Sequence, residues 1–123
     1  MASTTVRRQK EVKIVYDIEL GDDLIRDRRI IQEDDGRNIA ALILKAYKRS
    51  NSSEDVILNV AGCDVISAEA IRPIIYVSTK YMQKNKNYIV LKHLDYKLAA
   101  HIKLLGAKKY FKRMIFGKKV TDL

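Results

Sequence analysis

Short apolar segments alternate along this chain with longer segments in which apolar residues recur every three or four positions. Residues 12–18 alternate between apolar and more polar side chains, which is the period of a strand that buries one face. Residues 24–32 alternate less clearly and fit either a second short strand or a loop that carries three arginines. The first quarter of the chain therefore predicts one strand, followed by a segment that is either a second short strand or a loop.

The next segment has the period of a helix. Apolar residues recur at helical spacing across residues 39–47, and the polar letters SNSS at 50–53 end the pattern. The letters DDG at 34–36 supply N-cap chemistry and negative charge at its start. We therefore expect an amphipathic helix that begins at this acidic pair.

A buried strand and a second helix come next. Residues 56–60, VILNV, are β-branched or apolar on both faces, which favours a central strand parallel to its neighbour. Ser67 can cap the following helix, with Glu69 favourably placed in the first turn. Pro73 then either removes one hydrogen bond and bends the helix, or marks a regular helix that starts nearer Arg72. In both cases Ser67 lies at a strand-to-helix corner.

The last part of the chain repeats the alternation. Residues 88–94 predict a strand, and residues 96–105 predict a helix closed by Gly106. Residues 108–120 form a basic, aromatic segment that could add a last short helix or strand. This order predicts an α/β fold with a mixed, mostly parallel sheet, three to four flanking helices and right-handed crossovers.

The length limits the organisation to one domain. A chain of 123 residues can bury one core. We expect a flexible N-terminal tail at residues 1–10 and a single small domain at 11–123. The longest uncharged apolar run, residues 39–44, is far shorter than the ~20 residues of a membrane span. With a single cysteine, Cys63, and no apolar signal core, the expectation is a cytoplasmic protein without membrane insertion.

Charge is unevenly distributed. Residues 1–71 hold 11 basic and 13 acidic side chains, whereas residues 72–123 hold 13 basic and 2 acidic ones. A basic region of this kind can bind phosphates, anionic lipid headgroups or an acidic partner protein, or it can serve only solubility.

Familiar catalytic and metal-binding motifs do not occur. The chain has no Gly-rich phosphate loop, no Cys-x-x-Cys, no His-Glu-x-x-His and no Gly-x-Ser-x-Gly. His93 and His101 fall on different predicted elements, and Cys63 fits a small buried residue better than a nucleophile. Acidic residues between 22 and 35 are interleaved with three arginines, which favours a salt-bridged surface over paired catalytic carboxylates. We therefore expect no enzyme, no metal and no cofactor.

The segment VILNVAGCDVISAEA, residues 56–70, resembles the central motif of STAS domains, the fold of bacterial anti-anti-sigma factors. The resemblance continues through residues 88–91 to LAAHIKLLGAKKYF at 98–111, which is similar to the terminal helix of that family. It covers residues 55–111. The family implies a non-enzymatic regulatory module that binds a partner protein, such as a kinase-like ATPase regulator.

The chain departs from the family at the phosphorylated position. In STAS switches a Ser or Thr before a Gly is phosphorylated, and the added charge disrupts docking. A gapless placement puts Ser67 on the Asp of the family, Glu69 on the phosphoacceptor and Ala70 on the Gly. Glu69 would present a permanent negative charge instead. A shift of one or two residues would bring Ser67 to the acceptor position.

Two functions from different classes follow. The first is a STAS-like interaction module that docks its partner through Asp64, Ser67, Glu69 and Arg72. The second is a nucleic-acid-binding domain, with Tyr110 and Phe111 as stacking groups, although core packing is favoured for these rings and for Phe116. Its phosphate contacts would come from the basic C-terminal side chains Lys97, Lys108, Lys109, Lys112, Arg113, Lys118 and Lys119.

Overall fold

A computed structural model of the protein describes residues 17–116 and 119–123. It shows a small α/β domain with three α-helices and a mostly parallel mixed sheet of five strands, as predicted. The helices are α1 (Glu33–Arg49), α2 (Ala68–Val77) and α3 (Tyr96–Leu104). The strands are β1 (Asp17–Glu19), β2 (Arg29–Ile30), β3 (Val56–Asn59), β4 (Val65–Ile66), β5 (Ile89–Lys92), β6 (Phe111–Ile115) and β7 (Lys119–Asp122).

The main sheet has the strand order β1-β3-β5-β6-β7. The first four strands are parallel, and the register pairs Ile57 with Val90 and Val90 with Lys112. Strand β7 returns antiparallel to β6, with Ile115 opposite Lys119. Parallel neighbours need a crossover connection, and helices α1, α2 and α3 lie in the three crossovers. The segment at 108–120, for which the sequence predicts a short helix or strand, forms the 3-10 turn Lys108–Tyr110 and the strands of this hairpin.

Strands β2 and β4 form a separate two-stranded parallel sheet. Its register pairs Arg29 with Val65 and Ile30 with Ile66. Of the two readings of residues 24–32, the short strand is therefore the one observed. This small sheet joins the segment before α1 to the segment before α2.

The three helices share one core on one face of the main sheet. Side chains on a strand point alternately to its two faces, so Leu58, Leu91 and Phe111 point to the same side. One small apolar cavity is lined by these three residues together with Ile39 of α1, Ile71 and Ile74 of α2, and Leu98 and Ile102 of α3. The core therefore lies between the layer of helices and one face of the main sheet, and Ile30 and Ile66 of the small sheet also line its cavity.

Helices α1 and α2 approach each other most closely at Gly36. A Cβ atom built on Gly36 would overlap the backbone carbonyl of Ala70, which is completely buried. Only a residue without a side chain fits between the two backbones here. The predicted role of residues 34–36 as the helix cap is wrong, because Gln32 is the N-cap residue and the acidic residues 33–35 form the first turn.

Helix α2 begins directly after Ser67 and runs through Pro73. A regular start near Arg72, one of the two expectations for Pro73, is therefore wrong. Proline has no N–H, so the carbonyl of Glu69 lacks its usual helical partner. The chain continues after α2 as a π-helical turn (Ser78–Met82) and a 3-10 turn (Gln83–Asn85). This continuation keeps Ser78 and Met82 on the buried side.

Helix α3 ends at Leu105 as its C-cap, and Gly106 follows with a φ of +73°. Gly106 thus lies one residue after the C-cap. A left-handed glycine is usual at that position, so glycine closes the helix as expected. The tail predicted at residues 1–10 and the alternating residues 12–16 lie outside the described residues, and β1 is the described end of that first strand.

Candidate functional site

Arg28 and Asp64 link the residues directly before β2 to those directly before β4. The guanidinium of Arg28 donates two hydrogen bonds to the carboxylate of Asp64, at 2.8 and 2.9 Å. The backbone N–H of Asp64 also donates to the carbonyl of Arg28 at 2.8 Å. The hydrogen bond from Arg28 lowers the pKa of Asp64 below its ordinary value. The predicted docking residue Asp64 is therefore bound to Arg28, and its first role is to hold the corner in place.

Ser67 is the N-cap of α2 and also a link to β2. Its Oγ accepts a hydrogen bond from the N–H of Ala70 at 3.0 Å and donates one to the carbonyl of Ile31 at 2.6 Å. Its N–H donates to the carbonyl of Ile30 at 2.9 Å. The predicted cap is confirmed. We name Arg28, Asp64 and Ser67 together the docking corner.

An exposed stripe runs along α2 from this corner. Glu69 and Arg72, both predicted as docking residues, are exposed, and Tyr76 and Lys80 continue the stripe at helical spacing. The Tyr76 side chain is 57% exposed. We name Glu69, Arg72, Tyr76 and Lys80 the α2 face. Sequence reasoning missed Tyr76, although its position four residues after Arg72 places it on the side opposite the apolar residues.

Lysine side chains lie over aromatic rings beside this stripe, at cation–π distances. Lys80 Nζ lies 5.4 Å from the ring centre of Tyr76 and 5.5 Å from that of Tyr81. It also donates a hydrogen bond to the Tyr76 hydroxyl at 3.0 Å, and this bond raises the pKa of Lys80. Lys48 of α1 lies 5.7 Å from the ring centre of Tyr81. The α2 face is thus continuous with a basic, aromatic surface that includes the end of α1.

The basic C-terminal side chains do not form one stripe. Lys108, Lys109 and Lys112 lie near Tyr88 at the amino end of β6. Lys112 is paired with Asp122 at 2.7 Å, and its Nζ lies 4.7 Å from the ring centre of Tyr88. The remaining described members, Lys97, Arg113 and Lys119, lie toward the carboxyl ends of β5 and β6, and Lys118 is outside the described residues.

The aromatic residues of this region separate into buried and exposed ones. Phe111 is buried and Tyr110 packs against the core, so the favoured interpretation as core residues is confirmed for both. The same prediction for Phe116 is wrong, because its side chain is 93% exposed. Tyr96, which the sequence did not single out, is 74% exposed. The stacking groups available to a ligand are therefore Tyr96 and Phe116.

Cys63 is fully buried behind the corner. Its thiol donates to the carbonyl of Val65 at 3.4 Å, and burial raises its pKa to about 11. A thiol of this kind stays protonated near neutral pH and is a poor nucleophile. The prediction of a small buried residue is confirmed.

Of the five aspartates expected to form a salt-bridged surface, Asp27, Asp34 and Asp35 make ion pairs, whereas Asp22 and Asp23 make none with the residues that the structure describes. Arg26 pairs with Asp35 at 3.4 Å, Arg29 with Asp27 at 3.7 Å, and Arg37 with both Glu33 and Asp34. Asp35 departs from the expected surface position because it is buried. No cluster of three or more metal-binding side chains occurs among residues 17–116 and 119–123.

In the described part of the chain, no helix combines the length and apolarity that crossing a membrane requires. No protein-family model, curated protein or solved structure gives a significant match to this chain. Inference about its function therefore depends on the docking corner, the α2 face and the residues around them.

Proposed function

We propose that this protein is a STAS-like, non-enzymatic regulatory module that binds a signalling partner protein through the docking corner and the α2 face. A kinase-like ATPase regulator is the class of partner that the resemblance implies. The element order supports the proposal, since a central parallel strand leads through a short turn to a capped helix, as the STAS motif requires. This arrangement places Glu69 and Arg72 in the first turns of α2, where a partner can contact them.

The exposure of Tyr76 carries the proposal. The opposite side of α2 is fully occupied by the core, because Ile71, Ile74 and Val77 are buried. An exposed tyrosine between charged residues is typical of an interface hot spot, since aromatic side chains and arginine are enriched there. The adjacent corner is held by the Arg28–Asp64 pair and by the two hydrogen bonds of the Ser67 hydroxyl. A surface fixed in this way loses little conformational freedom on binding.

The environment of Ser67 bears on regulation. A phosphoryl group on Ser67 would remove the hydroxyl hydrogen that now bonds to the carbonyl of Ile31. It would also bring negative charge next to that carbonyl and into the first turn of α2, which already holds Glu69. Glu69, by contrast, is exposed and needs no modification to present its charge. A permanently docking-competent module therefore accounts for these contacts better than a switch at Ser67.

The experiment is affinity capture from the source cell's extract with purified wild-type, Glu69→Lys, Tyr76→Ala and Tyr96→Ala proteins, at low and moderate salt and with nuclease. We expect one protein partner that survives nuclease and moderate salt, is lost with Glu69→Lys and Tyr76→Ala, and is retained with Tyr96→Ala. Tyr96→Ala is the matched control because it removes another exposed tyrosine, from a different helix. Cross-linking from position 72 would then locate the contact.

Capture that is indifferent to Glu69 and Tyr76 would contradict the proposal. Recovery of nuclease-sensitive material alone would contradict it as well. The salt series adds a second criterion, because binding by charge alone weakens steeply with ionic strength, whereas a shape-matched protein contact weakens less.

A further inference from the structure

A second surface lies at the carboxyl ends of β5 and β6, and none of its lining residues belongs to the α2 face. A groove there is lined by Lys92 and His93 at the end of β5, Tyr96 at the start of α3, and Arg113 and Phe116 on and after β6. We call it the β5–β6 groove. Ligands of open α/β sheets bind at the carboxyl ends of the parallel strands, because the loops there are free to form a crevice.

Two aromatic rings of this groove are open to solvent. Tyr96 is 74% exposed and Phe116 is 93% exposed, and Ile115 next to Phe116 is also partly exposed. The two rings belong to different elements, α3 and the β6–β7 turn, and line the same groove. Contiguous exposed apolar surface of this kind marks a binding site more often than an isolated exposed residue does.

The lining of the groove is positively charged, and one acidic residue, the α3 N-cap Asp95, lies directly before Tyr96 in the chain. None of its lining residues is acidic. Arg113 makes no ion pair with any of the residues that the structure describes, whereas Lys92 is paired with Asp17 at 2.7 Å. Lys97 follows Tyr96 directly, and Lys119 is opposite Ile115 in the β6–β7 register. Both lysines are exposed. Three cations therefore surround two exposed rings, whereas Lys92, which is paired with Asp17 of β1, lies at the side of the groove nearest β1.

We propose that the β5–β6 groove binds single-stranded nucleic acid, with bases stacked on Tyr96 and Phe116 and phosphates held by Lys97, Arg113 and Lys119. Aromatic platforms combined with a cationic groove are the general means of holding unpaired strands. An acidic peptide would satisfy the cations but leave both rings without partners. A duplex would present phosphates but no free base faces. An unpaired strand offers base faces to the rings and phosphates to the cations at the same time.

The test is fluorescence anisotropy with a labelled single-stranded RNA of about ten nucleotides, within the site size of comparable grooves. We expect Tyr96→Ala and Phe116→Ala each to raise Kd about fivefold or more, because each removes one stacking platform. Tyr96→Phe and Phe116→Trp should keep affinity within about twofold, since both retain the stacking platform. Arg113→Gln should make the salt dependence shallower by about 0.7 in the logarithmic slope, as expected for one lost phosphate contact.

The matched controls are Tyr76→Ala and Lys84→Gln, an exposed tyrosine and an exposed lysine outside the groove. Both should bind RNA as wild type does. Equal losses in these controls would show nonspecific attraction to a basic protein and would overturn the groove. Three results would overturn an unpaired strand as the ligand. The first is a duplex that binds as tightly as the single strand, and the second is polyglutamate that competes as well as the strand does. The third is a free mononucleotide that competes, per nucleotide, as strongly as the strand.

This test is independent of the proposed docking function. It uses only the purified protein and the RNA, so loss of a partner protein in the Tyr76→Ala variant does not affect it. Because Tyr96 and Phe116 are exposed, their replacement should leave the fold intact, and circular dichroism of each variant checks this.

Discussion

Arg28 binds Asp64 through two hydrogen bonds of 2.8 and 2.9 Å, although 36 positions separate them in the chain. The pair fastens the segment before β2 to the segment before β4, so that both sides of the corner move together. Most of the Arg28 side chain is in solvent, and we therefore expect a modest contribution to stability rather than a large one.

Asp64→Asn should lower the urea midpoint near pH 7, and the difference from wild type should disappear in acid. Because the pKa of Asp64 is lowered in the folded protein, its contribution is fully present above the unfolded value of about 3.9 and is lost as the pH falls through the folded value. Urea titrations near pH 7 and at a series of pH values descending from about 3.9 measure both differences. Asp27→Asn is the control, since the carboxylate of Asp27 is exposed and lies 3.7 Å from the guanidinium of Arg29. Its loss should change stability little. A loss that persists unchanged in acid would contradict the assignment.

Ser67 can be tested by two substitutions that separate its two hydrogen bonds. Ser67→Ala removes both and should lower the free energy of unfolding by about 1–2 kcal/mol. Ser67→Asp keeps an acceptor for the N–H of Ala70 but has no hydrogen to donate to the carbonyl of Ile31. Although aspartate is as good a cap as serine, this variant should also be destabilised. Chemical denaturation of both variants is the measurement, and wild-type stability of Ser67→Asp would show that the bond to Ile31 contributes nothing.

Gly36→Ala should destabilise the protein even though alanine favours helices. The added methyl group would overlap the carbonyl of Ala70, and that atom belongs to the backbone of α2, so the two helices must separate. We expect a loss of about 1–3 kcal/mol, typical of overpacking. Asn38→Ala, an exposed position on the same helix, should be neutral or slightly stabilising. Equal thermal midpoints for the two variants would contradict the close approach of α1 to α2.

Two buried serines should respond in opposite ways to alanine. Ser78 Oγ is fully buried and has no hydrogen-bond partner among the described residues, so Ser78→Ala should leave stability unchanged or raise it by up to about 1 kcal/mol. Ser50 Oγ donates to the carbonyl of Tyr47 at 2.6 Å and accepts from the N–H groups of Ser53 and Glu54 at 3.3 Å. Ser50→Ala should therefore cost about 1–2 kcal/mol. Urea denaturation of the pair measures the contrast, and equal losses would contradict it.

The thiol of Cys63 should be unreactive in the folded protein. It is fully buried, and burial raises its pKa to about 11, so little thiolate exists at neutral pH. A thiol-specific chromophoric reagent should label it slowly in native buffer and rapidly in denaturant. Rapid labelling of the native protein would show that the corner opens readily. Comparison with the Asp64→Asn variant would reveal whether the Arg28–Asp64 pair restrains that opening.

The elements that the sequence predicts well are those whose signals are local. The apolar period of residues 39–47 and the β-branched run at 56–60 are produced by side chains within one helix or one strand, so no distant partner is needed to recognise them. The cap at Ser67 is local as well, because its acceptor and the N–H of Ala70 are three residues apart. Glu69 and Arg72 were correctly placed on the outside for the same reason.

The features that the sequence left undecided or missed depend on distant segments. Strand β2 has two residues and exists only through its pairing with β4. The acidic residues at 34–35 have the composition of a cap, although Gln32 is the N-cap residue. Gly36 serves instead to let α1 approach the backbone of α2 at Ala70, which comes much later in the chain. Phe116 is apolar, and composition does not reveal that the hairpin carries it beyond the core. Tyr96 gives no signal by itself, since its significance arises only beside Phe116 and Arg113.

The one-directional order of the parallel strands has a consequence for biosynthesis. Strands β1, β3, β5 and β6 follow each other in space as they do in the chain. Each new strand emerging from the ribosome thus finds its neighbour already made, and the helix before it can cover the growing sheet at once. No later strand has to insert between two earlier strands among these four, so their apolar side chains can be buried soon after synthesis. This order limits the time during which the nascent chain can aggregate.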